Sequence, residues 1–261
     1  MYEFTYHRPA NLEEAKAILA EGDGAQALSG GQTLMPVMRA RLAMPSTLVD
    51  LTRLNELKGV RMEDDRIVIM GATTHADVAA SELVHEHCPA LAALAGGIGD
   101  PQVRHRGTIG GSVANNDPAA CYPSACLALD AEIRTDRRTI AARDFFTAMF
   151  ETALEPGEIV TSVSFPACRV AHYEKFPNPA SRFALIAVFA ARLAGQTRLG
   201  VTGGGTGVFR WQEGEQAADS NGDLSAAPLA DHHFTGDLHA SVEYRMHLTR
   251  VIAQRALAAI H

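Results

Sequence analysis

The sequence predicts an α+β fold made of three successive segments, and three observations predict it. A strand–helix–strand pattern fills residues 1–57. A hairpin pattern, "GVRMEDDRIVIMGATT", opens a second segment that continues into helices. A third segment pairs an apolar strand with a second strand and closes on an amphipathic helix.

In the first segment, "YEFTYHRPANLEEAKAILAEGDGAQALSGG" reads as a short strand, a capped helix, a turn and a strand rising into a glycine loop. Asn11 with Glu14 three residues later has the spacing of a capping box. Leu12, Ala15, Ile18 and Leu19 share one helical face. "STLVDLT" at 46–52 is a strand, and residues 54–57 make a turn.

The second segment, 58–167, starts with alternation through Val60 and Met62 and again through Ile67 and Ile69, around an "EDD" turn. Helices are expected at 74–86 and 88–96, then a loop over 97–123. A helix or turn near 124–129 and strands at 129–135 and 158–165 follow, with "RDFF" at 143–146 as a capped helix start. The third segment, 168–261, holds strands at 184–192 and 198–203. A mobile connection with one helical turn is expected over 212–232. A final helix then turns Leu248, Val251, Ile252, Arg255 and Leu257 inward. No internal repeat is visible.

Composition narrows the function. The 261 residues are 47% hydrophobic and 20% charged, which excludes wholesale disorder. With 23 Lys and Arg against 30 Asp and Glu, the net charge is −7, an unpromising surface for nucleic acid. No apolar run suits a membrane span, and "MYEFTYHRPA" lacks the pattern of a targeting segment. Cys88, Cys121, Cys126 and Cys168 form no metal-ligand spacing, so free thiols and a cytoplasmic location are expected. His75, His85 and His87 read as helix or turn surface, and His232-His233 lacks a third ligand nearby in sequence.

Three glycine clusters fail the common nucleotide fingerprints. "GGIGDPQ" has Gln102, and "TGGGTGVF" has Val208, where a dinucleotide fingerprint needs its last glycine. "SGGQTLMP" has no Gly-Lys-Ser/Thr. "SGGQTLMP" and the later "RGTIGGSVANNDPAA" still offer glycines, the hydroxyls of Ser29, Thr33, Thr108 and Ser112, and runs of backbone amides. Either they are tight turns, or together they clasp a pyrophosphate.

"ALSGGQTLMPVMRARLAMPSTLVDL", "QVRHRGTIGGSVANNDPAACYP" and "HYEKFPNPASRFALIAVFAAR" resemble the FAD-binding medium subunit of molybdenum hydroxylases, the carbon monoxide dehydrogenase and xanthine dehydrogenase group. The likeness runs over residues 1 to 210 and resumes in the closing helix. It implies a two-lobed FAD-binding fold of the vanillyl-alcohol-oxidase/PCMH type, with a C-terminal α+β domain of the CO dehydrogenase flavoprotein type. It also implies that Ser29, Gly30, Gly31, Gln32, Thr33 and Leu34, with Thr108, Ile109, Gly110, Gly111, Ser112 and Asn115, hold the FAD diphosphate. Ile98 and Val160 match apolar positions near the flavin nucleotide. Asp117 matches a partner for ribityl or ribose hydroxyls, and Lys175 a cation that approaches the flavin ring.

Two departures stand out: Cys121 replaces the second Asp of the family's Asp-Pro-Ala-x-Asp, and His105 stands where many relatives carry Asn. The resemblance further implies a large molybdopterin subunit, a small subunit with [2Fe–2S] clusters, and NAD⁺, a quinone or oxygen as external acceptor. No residue of this chain is expected to act on the organic substrate. A self-contained flavin oxidoreductase and a non-redox nucleotide-binding assembly module are the competing readings.

Overall fold

The computed structural model describes residues 1–220 and 222–260. Strands Thr5–His7, Thr47–Asp50 and Ala25–Leu28 form a parallel sheet in that spatial order. The helix Leu12–Glu21 starts where Asn11 Oδ1 accepts the Glu14 N–H at 2.9 Å. The reciprocal arm of the capping box is shifted, because the Glu14 carboxylate accepts from Ala10, one residue before the cap, at 2.7 Å. Ala15 and Leu19 lie in a small core with Val49, Leu51 and Leu54.

A five-stranded antiparallel sheet follows, ordered Val60–Glu63, Arg66–Met70, Val160–Pro166, Glu132–Thr135, Thr139–Ala141. The helix expected over 74–86 divides at Ser81, whose hydroxyl accepts the Val84 N–H and starts a second helix, Glu82–His87. The loop expected over 97–123 is largely helical. Asp100 caps Pro101–Arg104, Thr108 caps Ile109–Asn115, and a third helix, Tyr122–Ala128, begins inside it. Glycines suggested a loop there because glycine disfavours helix. Here packing overrides propensity: a Cβ on Gly110 would sit 2.6 Å from Gly71 O, so only glycine lets this helix press onto the sheet.

The third sheet is ordered Ala171–Pro177, Ala184–Leu193, Gln196–Thr202, Phe209–Arg210. The sequence reading passed over its first strand and the short hairpin Phe146–Ala148 with Glu151–Thr152. Within Ala184–Leu193 the stretch Ala184 to Ala191 is apolar throughout because both its faces are covered. Phe189 and Ala191 belong to the middle core, whereas Ile186, Val188 and Ala190 belong to the C-terminal core. Each large apolar side chain buried this way contributes about 1.5–3 kcal/mol.

The connection expected to be mobile over 212–232 is packed instead. Gln212–Asp219 is helical, the buried Glu215 binds Arg210 and the Leu199 N–H, and Leu224 and Leu229 join the C-terminal core. Asn221, within that stretch, lies outside the described residues. The closing helix Val242–Ala258 buries Leu248, Ile252 and Leu257 as expected, but Arg255 faces outward and Val251 is half-buried. Its inward stripe is turned toward Arg245, whose guanidinium donates to Leu185 O and Gly203 O and pairs with Asp237. Among the described residues, no helix is long and apolar enough to cross a membrane.

His75 is a second correction to the surface reading. It is the first residue of the helix His75–Ala80 yet only 5% exposed, its ring 5.4 Å from that of Tyr122. A Cβ on Gly107 would lie 2.6 Å from His75 Nε2, and Nδ1 has no partner among the described residues. His85 is exposed and His87 half-buried.

Burial, reinforced by the charge of Arg104, pushes the His75 imidazole from 6.5 down to about 4. The folded protein therefore binds fewer protons than the unfolded chain between those two values, and this contribution to stability is complete only above the upper one. Acidification through that window should remove about 3 kcal/mol that His75→Gln never has to lose. Urea unfolding of both proteins at neutral pH and near pH 4 checks this; parallel losses in the two would refute it.

Candidate functional site

A cleft of about 580 Å³ runs between the first and second segments, with one wall from the third. Its first grip is the loop leaving the strand Ala25–Leu28. Gly31 turns the chain at φ 70°, and Thr33 leads into the helix Leu34–Arg39 without a side-chain cap. The amides of Gly30, Gly31, Gln32, Thr33 and Leu34 find no acceptor among the described residues. Five successive unengaged N–H groups in front of a short helix form a concave donor array suited to an anion.

The second glycine motif behaves differently. Its amides are already engaged: Ile109 with Thr73 O, Gly110 with Gly71 O, Gly111 with Thr108 Oγ1 and Ser112 with Thr108 O. The sequence suggested a run of free amides in both motifs, but only the first has one. The second instead supplies a surface the first can press against. A Cβ on Gly30 would lie 2.1 Å from Arg106 O, and Ser29 Oγ meets Thr108 Oγ1 at 2.8 Å. The two motifs thus form one continuous wall.

Ser112 and Asn115, from the helix, line the same cleft, as do Ile98 and Val160 with apolar surface. Ile109 does not; it is fully buried in the middle core. Asp117 also lines the cleft, where partial burial raises its carboxyl above the usual range while Oδ1 accepts the Ala119 N–H at 2.8 Å. Lys175 arrives from the third sheet. Its register partner is Ala187, on the same face as Phe189, so the side chain points toward the middle lobe. Nζ donates to Gly97 O at 3.1 Å and lies 3.5 Å from Cys121 Sγ. Cys121 is therefore a buried thiol in the cleft wall, beside the lysine. His105 is exposed, its Nδ1 bonded to Pro101 O at 2.7 Å.

Sequence reasoning missed His75, Phe150 and Arg182 as lining residues. Phe150 is placed by Asn116, a left-handed helix cap whose Nδ2 donates to Ala148 O and Glu151 O, both at 2.8 Å. The signal for His75 was present in "TTHAD", where Thr74 caps the helix and leaves the next side chain directed inward. Phe150 and Arg182 lie in turns with φ of 58° and 62°, which no local pattern announces.

The residues fit a flavin dinucleotide. An open amide array faces the cleft, as a pyrophosphate would need, apolar walls flank it, and the cations Lys175 and Arg182 are among its lining. A metal centre has no such support. No group of three His, Cys, Asp or Glu side chains among the described residues could hold an ion, and His233 stacks on Phe209 with ring centroids 4.1 Å apart.

Comparison with known proteins agrees with this geometry. Residues 2–168 match the family described as the FAD binding domain in molybdopterin dehydrogenase. The 6-hydroxypseudooxynicotine dehydrogenase complex subunit alpha of Paenarthrobacter nicotinovorans is 32% identical over 280 residues, covering 99% of this chain and 95% of that one. The carbon monoxide dehydrogenase medium chain of Afipia carboxidovorans is 37% identical over 192 residues, 70% of this chain and 67% of that one. A solved carbon monoxide dehydrogenase from Hydrogenophaga pseudoflava superposes with a TM-score of 0.87 at 31% identity, covering 99% of this chain and 97% of its own. The α+β fold is that of these flavoproteins. On the match over residues 2–168 and the full-length relatives, the chain belongs to the FAD-binding subunits of the molybdopterin dehydrogenases and is an oxidoreductase subunit.

Proposed function

We propose that this chain is the electron-transfer subunit of a molybdenum hydroxylase. It would accept electrons from [2Fe–2S] clusters on a small partner, while a large molybdopterin subunit oxidises the organic substrate. Bound flavin supplies a junction between one-electron donors and one- or two-electron acceptors. The external acceptor is NAD⁺, a quinone or oxygen. Residues 1–57 and 58–167 would form the two FAD-binding lobes and 168–261 the C-terminal domain. The four free, buried thiols suit a reducing cytoplasm.

The observation that carries this reading is the unengaged amide array of Gly30 to Leu34. In the proposal these N–H groups hold the diphosphate, and the hydroxyls of Ser29, Thr33 and Ser112 add neutral donors nearby. Gly110 lets the second motif approach the sheet closely, and neither it nor Gly111 donates freely. Ile98 and Val160 exclude water, Asn115 and Asp117 present polar atoms to the sugar hydroxyls, and Lys175 stabilises negative charge gained on reduction. Cys121 leaves that lysine without a carboxylate partner, so its charge acts undiminished.

Gly30→Ala tests the grip, because the added methyl must displace Arg106 O. After incubation with FAD and desalting, the native chain should retain flavin stoichiometrically and the variant should lose most of it. Gly236→Ala, whose Cβ would meet nothing closer than 3.7 Å, should retain it. Equal retention by all three would sink the proposed grip.

Lys175→Met should lower the midpoint potential of the retained flavin by about 30–60 mV, the two-electron equivalent of one charge-assisted hydrogen bond. An unchanged midpoint in a redox titration would remove Lys175 from the site.

A further inference from the structure

Beside the cleft lies a second, open cavity of about 470 Å³. Gly99, Lys175 and Arg182 line both spaces, so an occupant of one would abut an occupant of the other. Its charged walls are Arg104, Lys175 and Arg182, and no Asp or Glu lines it. Such a concentration of one sign raises the local positive potential and attracts a counter-anion, even in a chain whose net charge is −7.

The three cations are held but not neutralised. Arg104 Nη1 donates to Ile98 O at 3.0 Å and Gly99 O at 3.1 Å, which fixes the guanidinium while leaving its other nitrogens available. Lys175 bonds only a carbonyl and a thiol. The Arg182 side chain has no hydrogen-bond or ion-pair partner among the described residues, yet its backbone is pinned. The buried Asn178 accepts from Ala180 and Ser181 through Oδ1, at 2.9 and 3.3 Å, and from the Arg182 N–H through its carbonyl at 2.8 Å. Pro177 and Pro179 flank Asn178 and stiffen the turn. The backbone that carries the exposed Arg182 is thus fixed before any ligand arrives, while its side chain is free to turn toward one.

We infer that this cavity binds an organic phosphate, held by Arg104, Arg182 and Lys175 at the open side of the flavin cleft. Two guanidiniums match the multiple oxygens of a phosphate better than a single carboxylate, and a phosphate carries close to two charges. This goes beyond the flavin grip. It is a separate site of opposite construction, built from side-chain cations where the first uses backbone amides. A ligand there would lie against the cofactor space and not within it.

The full chain loaded with FAD is titrated by calorimetry at low salt with inorganic pyrophosphate and, in parallel, with NAD⁺. Saturable binding is expected, weakening with added salt. Arg182→Gln should loosen it about tenfold, with partial recovery in Arg182→Lys. Tighter binding of NAD⁺ than of pyrophosphate would identify a dinucleotide as the occupant, and equal affinity would identify the anion alone. Absence of saturable heat with both probes, or an affinity indifferent to Arg182→Gln, overturns the site. So does binding that vanishes once FAD is loaded, since the cavity would then be part of the flavin site. Flavin retention is read separately from absorbance. If no flavin is retained, the native and Arg182→Gln chains compared without it still report on this cavity.

Discussion

Close backbone contact, permitted only where side chains are missing, is the constraint on which the site depends. Gly71 carries a position whose Cβ would lie 2.2 Å from Val160 O, Gly110 packs onto Gly71, and Gly30 packs onto Arg106. Through these approaches the first loop, the helix Ile109–Asn115 and the central strand Val160–Pro166 become one stack with almost no side-chain volume between layers. The amides of the second motif are consumed in making that stack, and this leaves those of the first free for something else. Two motifs that look alike in sequence are therefore built differently, one spending its amides on the stack and the other keeping them open for the proposed grip.

Polar groups follow the same division. Around the stack, buried donors and acceptors are mostly paired, as with Ser124, whose hydroxyl donates to Cys121 O, and Thr202, whose hydroxyl donates to Pro118 O and Ala120 O. Glu158 is another: Arg138, the Glu155 N–H and Thr135 hold its carboxyl at about 2 despite burial. Against that background the lone buried His75 nitrogen stands out, because leaving a buried polar group unpaired costs roughly 1–3 kcal/mol, while the unpaired amides and cations lie where a ligand or water can reach them.

Much of this was legible in the sequence, for identifiable reasons. The capped first helix and the Val60–Met70 hairpin follow local rules of spacing, and both formed where those rules put them. The glycine motifs were visible as unusual composition. What they do locally was not visible, since the helical state of residues 109–115 is imposed by Gly71, nearly forty residues earlier. The strand Ala171–Pro177 escaped notice because both of its faces are half-buried, which erases alternation. His75 failed for the opposite reason: it occupies a helix start, normally solvent-facing, but Gly107 and Tyr122 close over it from distant parts of the chain.

The strand Ala184–Leu193 is a wall common to two cores. Its odd-numbered side chains Phe189 and Ala191 seal the same apolar interior that the nucleotide-binding lobe needs, while a Cβ on Gly200 in the neighbouring strand would strike Ser124 O at 2.0 Å. The sequence region matched by the family ends at residue 168, before either strand begins. A fragment cut at that boundary would carry every glycine of the proposed cofactor grip and still lack one side of its own interior. The span matched by the family and the span that closes the middle core are thus different in this protein.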